Sequence, residues 1–139
     1  MLLRKAFTGI SFSPVYRSKA QHITDQADFL NAAAMLKTTL TPEKVAAELK
    51  RIERKLKKKI PKKFGPRTID LDLLLYGQEI SLDDALTIPH LRLHTRRFVL
   101  EPLIDLGAGD VMHPGFDVKL KTYLEETKDQ HCEKTKITL

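Results

Sequence analysis

One segment constrains the fold of this 139-residue chain more than any other. Residues 69–76 read IDLDLLLY and are apolar apart from Asp70 and Asp72. Side chains of an extended strand alternate between its two faces, so residues two apart share a face. The predicted faces are Ile69, Leu71, Leu73 and Leu75 on one side, and Asp70, Asp72, Leu74 and Tyr76 on the other. The spacing therefore predicts a strand with one buried face and two carboxylates side by side.

Hydrophobic periodicity divides the rest of the chain into further elements. The clearest is a helix over 41–58, where Thr41 can cap the first turn, Pro42 suits its start and apolar residues form one stripe. The other predicted elements are a helix end at 2–7, strands near 8–17 and 28–39, a short strand after Gly77, a helix over about 95–106, a short helix within 113–126 and a polar tail over 125–139. This order predicts one α+β domain over 1–139, with a mostly antiparallel sheet flanked by helices.

Composition narrows the cellular setting. No apolar run approaches the roughly 20 residues of a membrane span, so no membrane partner is expected. Cys132 is the single cysteine, which cannot form an internal disulfide and suggests a reducing, cytoplasmic compartment. The segment before Asp25 is basic and loosely resembles a transit peptide, but its start lacks the apolar core of a secretory signal.

The net charge of +6 is concentrated in one stretch. Eight of the fourteen residues over 54–67 are basic. Such a run is usually a solvated helix face or a tail, and it can also bind nucleic acid. Here it leads directly into the paired aspartates, which gives it a second reading as a phosphate-binding loop.

Paired acids beside a basic loop suit one kind of chemistry. Two carboxylates on one face repel each other unless a cation lies between them, and Mg²⁺ prefers oxygen ligands. Protein-only magnesium cages are rare, so nucleotide phosphates would complete the coordination, within reach of Arg67 and the lysines. Phe64 offers a ring for stacking. Taken alone, Asp-x-Asp is at least as often an exposed strand face.

The stretch FGPRTIDLDLLLYG at 64–77 resembles the signature of the 6-hydroxymethyl-7,8-dihydropterin pyrophosphokinases of folate biosynthesis. The segments VYRS, DQADFLNAAAML, TPEKVAAELKRIERKL, IPHLRLHTRRFVLEPLIDL and HP extend the likeness over roughly 13–115. The resemblance implies a ferredoxin-like sandwich and transfer of diphosphate from ATP to the hydroxymethyl group of 6-hydroxymethyl-7,8-dihydropterin, releasing AMP. Association with another folate-pathway enzyme is left open by the sequence.

The resemblance also implies roles for particular residues. Asp70 and Asp72 would bind two magnesium ions. The catalytic phosphate contacts would be Arg67, His90 and Arg96, with Arg67 on a mobile loop. The remaining ATP contacts would be Lys58, Lys59, Phe64, Leu73 and Thr87. The pterin contacts would be Ser18, Phe29, Asn31 and Phe98, with the two phenylalanines on either side of the ring.

Several of these residues have simpler structural readings. Without the resemblance, Phe29 and Phe98 would more often be core residues, and Asn31 a strand residue with a local hydrogen bond. His90 and His94 have a zinc-compatible spacing, but Pro89 and the lack of a third ligand argue against zinc. His113 before Pro114 is expected to be structural.

The chain departs from the family pattern in ways that keep two alternatives open. The family's first strand and Gly-Ser-Asn turn are not found, so we expect the usual first strand to be missing. Lys57 and Lys58 replace a glycine and an arginine, Ile60 a common arginine, Phe64 the usual tryptophan, and Leu91 a proline or tyrosine. Lysine lacks the bidentate fork of arginine, which weakens phosphate grip. The alternatives are a truncated inactive relative and a nucleic-acid-binding ferredoxin-like module, although the RNA-recognition motif is absent and a nucleic-acid partner is not expected.

Overall fold

The computed structural model describes residues 2–19, 29–58 and 69–139. Its α-helices are α1 (Leu2–Ala6), α2 (Pro42–Lys58), α3 (Arg97–Asp105) and α4 (Tyr123–Glu126). Its strands are β1 (Ser11–Phe12), β2 (Tyr16–Ser18), β3 (Phe29–Asn31), β4 (Ala34–Met35), β5 (Ser81–Asp83), β6 (Leu86–Ile88) and β7 (Glu133–Lys134). Single 3-10 turns lie at Leu93–Thr95 and Leu120–Thr122.

The strands pair in antiparallel fashion throughout. In the described residues, β1 pairs with β4, β2 lies between β3 and β7, and β5 forms a hairpin with β6. The prediction of an α+β domain with antiparallel pairing is thereby confirmed. The predicted strand at 8–17 is split into two, because Pro14 has no N–H to donate to a ladder. Ser13 lies in the gap and holds Ala33 through its backbone N–H (2.8 Å) and its Oγ (2.9 Å).

The strand predicted over 28–39 is likewise split in two, because Ala33 bonds to Ser13 between β3 and β4. The hairpin of β5 and β6 corrects a third expectation, since the sequence predicted one short strand after Gly77. Gly77 itself has φ of 55°, a left-handed conformation that glycine adopts without strain, and it forms the turn before this hairpin.

The predicted strand at 69–76, which we call the aspartate segment, is wrong as a hydrogen-bonded strand. Among the described residues no strand pairs with it, and its backbone is held by separate bonds. The Leu71 N–H donates to Glu53 Oε2 (2.9 Å) and the Leu74 carbonyl accepts from the His90 N–H (2.9 Å). Both aspartates are exposed and their apolar neighbours are half-buried, so the alternation holds as far as residue 73.

Helix α2 forms as its local sequence predicts. Thr41 Oγ1 accepts the Lys44 N–H at 3.3 Å, which satisfies one of the free donors of the first turn. Its apolar stripe packs on α1 and the following turn, in what we call the N-terminal cluster: Phe7, Ile10, Val45 and Ile52. Leu71, Leu73 and Tyr76 pack against this cluster, and the Tyr76 hydroxyl donates to the Leu40 carbonyl.

A second cluster forms around α3. The C-terminal cluster consists of Ala33, Leu93, Leu100, Leu103, Ala108, Leu120 and Tyr123. Leu74 and Leu75 of the aspartate segment pack against it. Leu75 and Tyr76 thus contact clusters other than those that strict alternation predicts. The aspartate segment therefore runs between the two clusters, with its carboxylates at the surface.

The end of the chain, which the sequence predicts only as a polar tail, folds back along β2. We call residues 128–139 the strap. Its strand β7 pairs with β2, Thr135 N–H donates to the Val15 carbonyl (3.0 Å), and Val15 N–H donates to the Ile137 carbonyl (3.0 Å). Two exposed residues in β7 give no periodic signal, which is why the sequence did not predict this strand. None of the helices in the described ranges combines the length and apolarity that a membrane span requires.

Candidate functional site

Four of the residues predicted to bind substrate meet at one cleft. A cavity of about 220 Å³, the acid cleft, is bordered by α2, the aspartate segment and the β5–β6 hairpin. Its walls include Asp72, Leu73, Thr87 and His90. The cleft is mostly apolar, since Leu49, Leu71 and Leu86 also line it. Its chemistry suits a flat apolar group with a charged extension, because apolar walls end at an acid and an imidazole.

Asp72 borders the cleft and Asp70 is not among its walls, but the backbone between the two aspartates is held by a residue that the sequence did not predict. Glu53 is buried, and its carboxylate accepts the N–H of Leu71, the residue between Asp70 and Asp72. This hydrogen bond, together with Lys57 at 3.0 Å, lowers the pKa of Glu53 below its usual value of 4.5. Lys57 also lies 4.0 Å from Asp70. The signal in the sequence was an acid at a helix position next to the buried stripe, where only a partnered carboxylate is tolerated.

His90 is oriented for one kind of contact. Its Nδ1 accepts the Arg92 N–H at 3.2 Å, and its own backbone N–H is bonded to Leu74. In a neutral imidazole whose Nδ1 accepts, the proton is on Nε2. The ring therefore offers an N–H donor to a ligand in the acid cleft. The Thr87 hydroxyl donates to the Asp83 carbonyl at 3.1 Å, which fixes its direction within the hairpin.

A second, basic cavity adjoins the start of α3. This arginine cavity, of about 420 Å³, is lined by Arg92, Thr95, Arg96, Phe98 and Gln130. The Arg96 guanidinium carbon lies 5.6 Å from the centre of the Phe98 ring. Planar guanidinium groups bind phosphate oxygens in pairs and stack on aromatic faces. The cavity thus joins a guanidinium group, which is able to bind phosphate, with a half-buried aromatic ring.

The neighbouring Arg97 has a different task from Arg96. Arg97 donates to the Leu124 carbonyl at 2.8 Å and pairs with Glu101 at 2.9 Å, so its charge is used inside the protein. In the described part of the chain, Arg96 forms no ion pair and contacts only Phe98 among the aromatic rings. Of the two adjacent arginines, Arg96 is the one whose charge is not used in an ion pair of the described residues, and its predicted phosphate contact stays a prediction.

The predicted pterin residues lie on paired strands beside α3. Ser18 is opposite Phe29 in the β2–β3 register, and α3, which carries Phe98, packs against both strands. Ser18 is buried, Asn31 is half-buried and Phe29 is 52% exposed. Within the described ranges no ring contact joins Phe29 to Phe98. Sandwiching of a ligand between the two rings stays a prediction.

Other predicted residues are outside the cavities or outside the described residues. Lys58 is the exposed last residue of α2, on the side of the chain that leads to the basic stretch. Lys59, Phe64 and Arg67 lie outside the described residues, so their predicted roles stay predictions.

The two histidines considered for zinc have different surroundings, since His90 borders the acid cleft and His94 packs among other rings. His94 packs against His113, with ring centres 5.4 Å apart, and against Phe116 and Tyr123. His113 Nδ1 accepts the Gly115 N–H at 3.1 Å, and burial followed by the His94 ring lowers its pKa below 6.5. In the described ranges, no group of three or more His, Cys, Asp or Glu side chains could hold a metal ion. His113 is structural, as predicted.

Fold and site together define an α+β enzyme with an acid-bordered cleft and a basic cavity, an arrangement suited to phosphorylated small molecules. The particular family follows from sequence comparison. The chain belongs to the 7,8-dihydro-6-hydroxymethylpterin-pyrophosphokinase (HPPK) family, whose model matches residues 1–108. The resemblance and the enzyme class predicted from the sequence are thereby confirmed, and the nucleic-acid-binding alternative is not favoured.

Curated relatives agree with the family match. The chain is 41% identical over 109 residues to the 2-amino-4-hydroxy-6-hydroxymethyldihydropteridine pyrophosphokinase of Haemophilus influenzae, covering 78% of this chain and 68% of that protein. It is 37% identical over 114 residues to the protein of that name in Aquifex aeolicus, covering 82% of this chain and 71% of the relative. It is also 38% identical over 125 residues to the folic acid synthesis protein fol1 of Pneumocystis carinii.

The extent of coverage differs between these relatives. The chain spans only 17% of the fol1 protein's length, although the match covers 90% of this chain. The chain also spans 17% of a bifunctional, mitochondrial folate synthesis protein of Arabidopsis thaliana, with 47% identity over 68% of this chain. Relatives of this domain thus occur both as shorter single proteins and as parts of longer ones.

Proposed function

We propose that this chain transfers diphosphate from ATP to the hydroxymethyl group of 6-hydroxymethyl-7,8-dihydropterin, releasing AMP, as a step of folate synthesis. The observation that carries the proposal is the meeting of Asp72, Thr87 and His90 at one cleft in a member of the HPPK family. ATP is the expected co-substrate, and both substrates are small molecules. Physical association with another folate enzyme is suggested only by the longer relatives.

The paired aspartates are suited to binding magnesium. Asp70 is 63% exposed and has only the distant Lys57 as an ionic partner among the described residues, so its oxygens are available. Asp70 and Asp72 would hold the metal, and two carboxylates without further protein ligands leave room for phosphate oxygens. Bound magnesium would neutralise the charge of the triphosphate. Two ions are expected from the family resemblance.

The chain's own side chains would bind and orient the polyphosphate. The Nε2–H of His90 donates to a phosphate oxygen, and Arg96 balances negative charge from the arginine cavity. Arg67, Lys58 and Lys59 would add further positive charge. Phosphoryl-type transfer needs alignment and charge stabilisation more than covalent participation by the protein. Leu73 and Thr87 would contact the adenine, with Phe64 near the base.

The pterin would bind near β2, β3 and α3. Phe98 supplies a half-buried ring there and Phe29 an exposed one, which supports stacking of a flat heterocycle. Asn31 and Ser18 would pair with the polar edge of the ring. This arrangement brings the hydroxymethyl group toward the arginine cavity, because Phe98 and Arg96 share it.

We also propose that the fold is ferredoxin-like. The antiparallel pairing of the first strands and the packing of α3 on β2 support this assignment. That the location is cytoplasmic stays an expectation; the Arabidopsis relative is described as mitochondrial.

The decisive experiment supplies the purified chain with ATP, magnesium and the dihydropterin and measures AMP. Formation of AMP only when the pterin is present supports the proposal. ATP hydrolysis to ADP regardless of the pterin would contradict it. Calorimetric titrations with each substrate and with single-stranded RNA separate the alternatives. Binding of RNA alone, with affinity falling steeply in salt, would favour a nucleic-acid-binding module, and ligand binding without AMP would favour the inactive relative.

A further inference from the structure

We propose that Gln130 in the strap is a positioning residue for Arg96, an inference that rests on the proposed function. Gln130 lies beyond residues 1–108, the part that the family model matches. Its side-chain amide reaches across from the strap to the start of α3 and borders the arginine cavity. The strap would therefore complete the basic side of the active site.

The Gln130 side chain bonds to the backbone on both sides of Arg96. Gln130 Oε1 accepts the Arg97 N–H at 2.9 Å, and Gln130 Nε2 donates to the Thr95 carbonyl at 2.8 Å. The two partners are the residues immediately before and after Arg96. An amide carries one acceptor and one donor end, so only a carboxamide of this length in this orientation serves both partners at once.

The backbone at Arg96 needs such a support. Arg96 is extended, with φ of −121° and ψ of 109°, and joins the 3-10 turn at Leu93–Thr95 to α3. Arg96 makes no side-chain cap for α3, and the Arg97 N–H is one of the helix donors that lack an intrahelical partner. Gln130 satisfies this donor and fixes the angle between the turn and the helix. The angle between the turn and the helix sets the direction in which the Arg96 side chain leaves the backbone.

Gln130 is itself held through its own backbone and by the strap. The Gln130 N–H donates to the Thr127 carbonyl at 3.0 Å, and Lys134 pairs with Asp105 at 3.0 Å. Asp105 also accepts from the Tyr16 hydroxyl at 2.6 Å, so the carboxylate that holds Lys134 is itself fixed to β2. The amide therefore approaches Arg96 from a fixed base rather than from a loose end.

The competing interpretation is that Gln130 only stabilises the helix. Three variants separate the two. Gln130→Ala removes both ends of the bridge. Thr135→Val removes two bonds of the hydroxyl in the same strap, to the Val15 carbonyl and from the Ile137 N–H, and neither bond involves residues 95–97. Arg96→Ala removes the side chain that Gln130 is proposed to position. Unfolding midpoints in urea show how much each change costs the fold.

The kinetic test is a double-mutant cycle on AMP formation. We expect Gln130→Ala to lower kcat on the order of tenfold to a hundredfold, the cost of misplacing a substrate-positioning group by about 1 Å. In the Arg96→Ala background the same change should lower kcat less than twofold, because the group it positions is gone. Thr135→Val should leave kcat unchanged. Equal losses of activity in both backgrounds, or no loss at all, would overturn the inference.

A spectroscopic test needs no activity and distinguishes failure of this inference from failure of the proposed function. The Phe98 ring current should shift the Arg96 Nε–H resonance of the free protein. Gln130→Ala should move this resonance toward its random-coil value, and Thr135→Val should not. An unmoved resonance would refute positioning. Should Gln130→Ala unfold the chain, Gln130→Glu carries both tests, because it keeps an acceptor for Arg97 and loses the donor for Thr95.

Discussion

The two sides of the candidate site are supported in the same way but with different chemistry. On the acid side, the buried carboxylate of Glu53 holds the backbone N–H of Leu71 between the two aspartates. On the arginine side, the neutral amide of Gln130 holds the backbone on both sides of Arg96. Each support binds backbone and leaves the functional side chain available. The difference teaches that the support on the acid side can titrate and so respond to pH, whereas Gln130 carries no titratable group.

The largest expected effect comes from the acid side itself. Asp72→Asn should lower kcat for AMP formation by about 10²–10³-fold or more, since it removes a charge that faces the polyphosphate. The fold should be intact, because Asp72 is exposed and borders the cleft. The measurement is steady-state turnover together with far-UV circular dichroism.

Asp84→Asn is the matched control, as Asp84 is an exposed aspartate in the nearby hairpin turn. It should behave as wild type. Turnover of Asp72→Asn within twofold of wild type would contradict the proposed metal role and with it the assignment of the acid side as part of the active site.

The next largest effect tests Glu53, which supports the aspartate segment, rather than the two aspartates themselves. Glu53→Ala leaves the Leu71 N–H without its partner, which should lower the free energy of unfolding by about 1–3 kcal/mol. It should also lower turnover on the order of tenfold through displacement of the aspartates. Urea unfolding and AMP formation measure the two effects.

Glu53→Gln sharpens this result. The glutamine keeps an acceptor for Leu71 but loses the charge that pairs with Lys57 at 3.0 Å. It should retain most of the stability and more of the activity than Glu53→Ala. If the two variants are equally impaired, the charge rather than the hydrogen bond supports the aspartate segment.

These two supports also show what the sequence could and could not predict. Helix α2 was predictable because its cap, proline and apolar stripe are all local. The faces of the aspartate segment were predictable as far as Leu73, but Leu75 and Tyr76 follow the two tertiary clusters instead of strict alternation. Gln130 gave no signal, since its partners are backbone atoms 33 and 35 residues away. Interactions of that kind depend on the folded path of the chain, which periodicity does not report.

The smallest expected effect is on the pH dependence of the free energy of unfolding, which should differ between the two regions. The pKa of Glu53 is lowered from 4.5, so its contribution to stability is present above that pH and is lost as pH falls through the folded-state pKa. The pKa of His113 is also lowered, from 6.5, by burial and then by the neighbouring His94. The unfolded chain then takes up the proton first, so stability falls as pH decreases below 6.5.

The pH dependence due to each of these two residues should disappear when that residue is replaced. Urea unfolding between pH 7.5 and about 3.5 measures the slopes, which are at most about 1.4 kcal/mol per pH unit for one proton. His113→Asn keeps an acceptor for the Gly115 N–H and should flatten the profile just below pH 6.5, while Glu53→Gln should flatten it only below pH 4.5. His113→Asn with an unchanged slope below pH 6.5 would mean that a group other than His113 takes up the proton on unfolding.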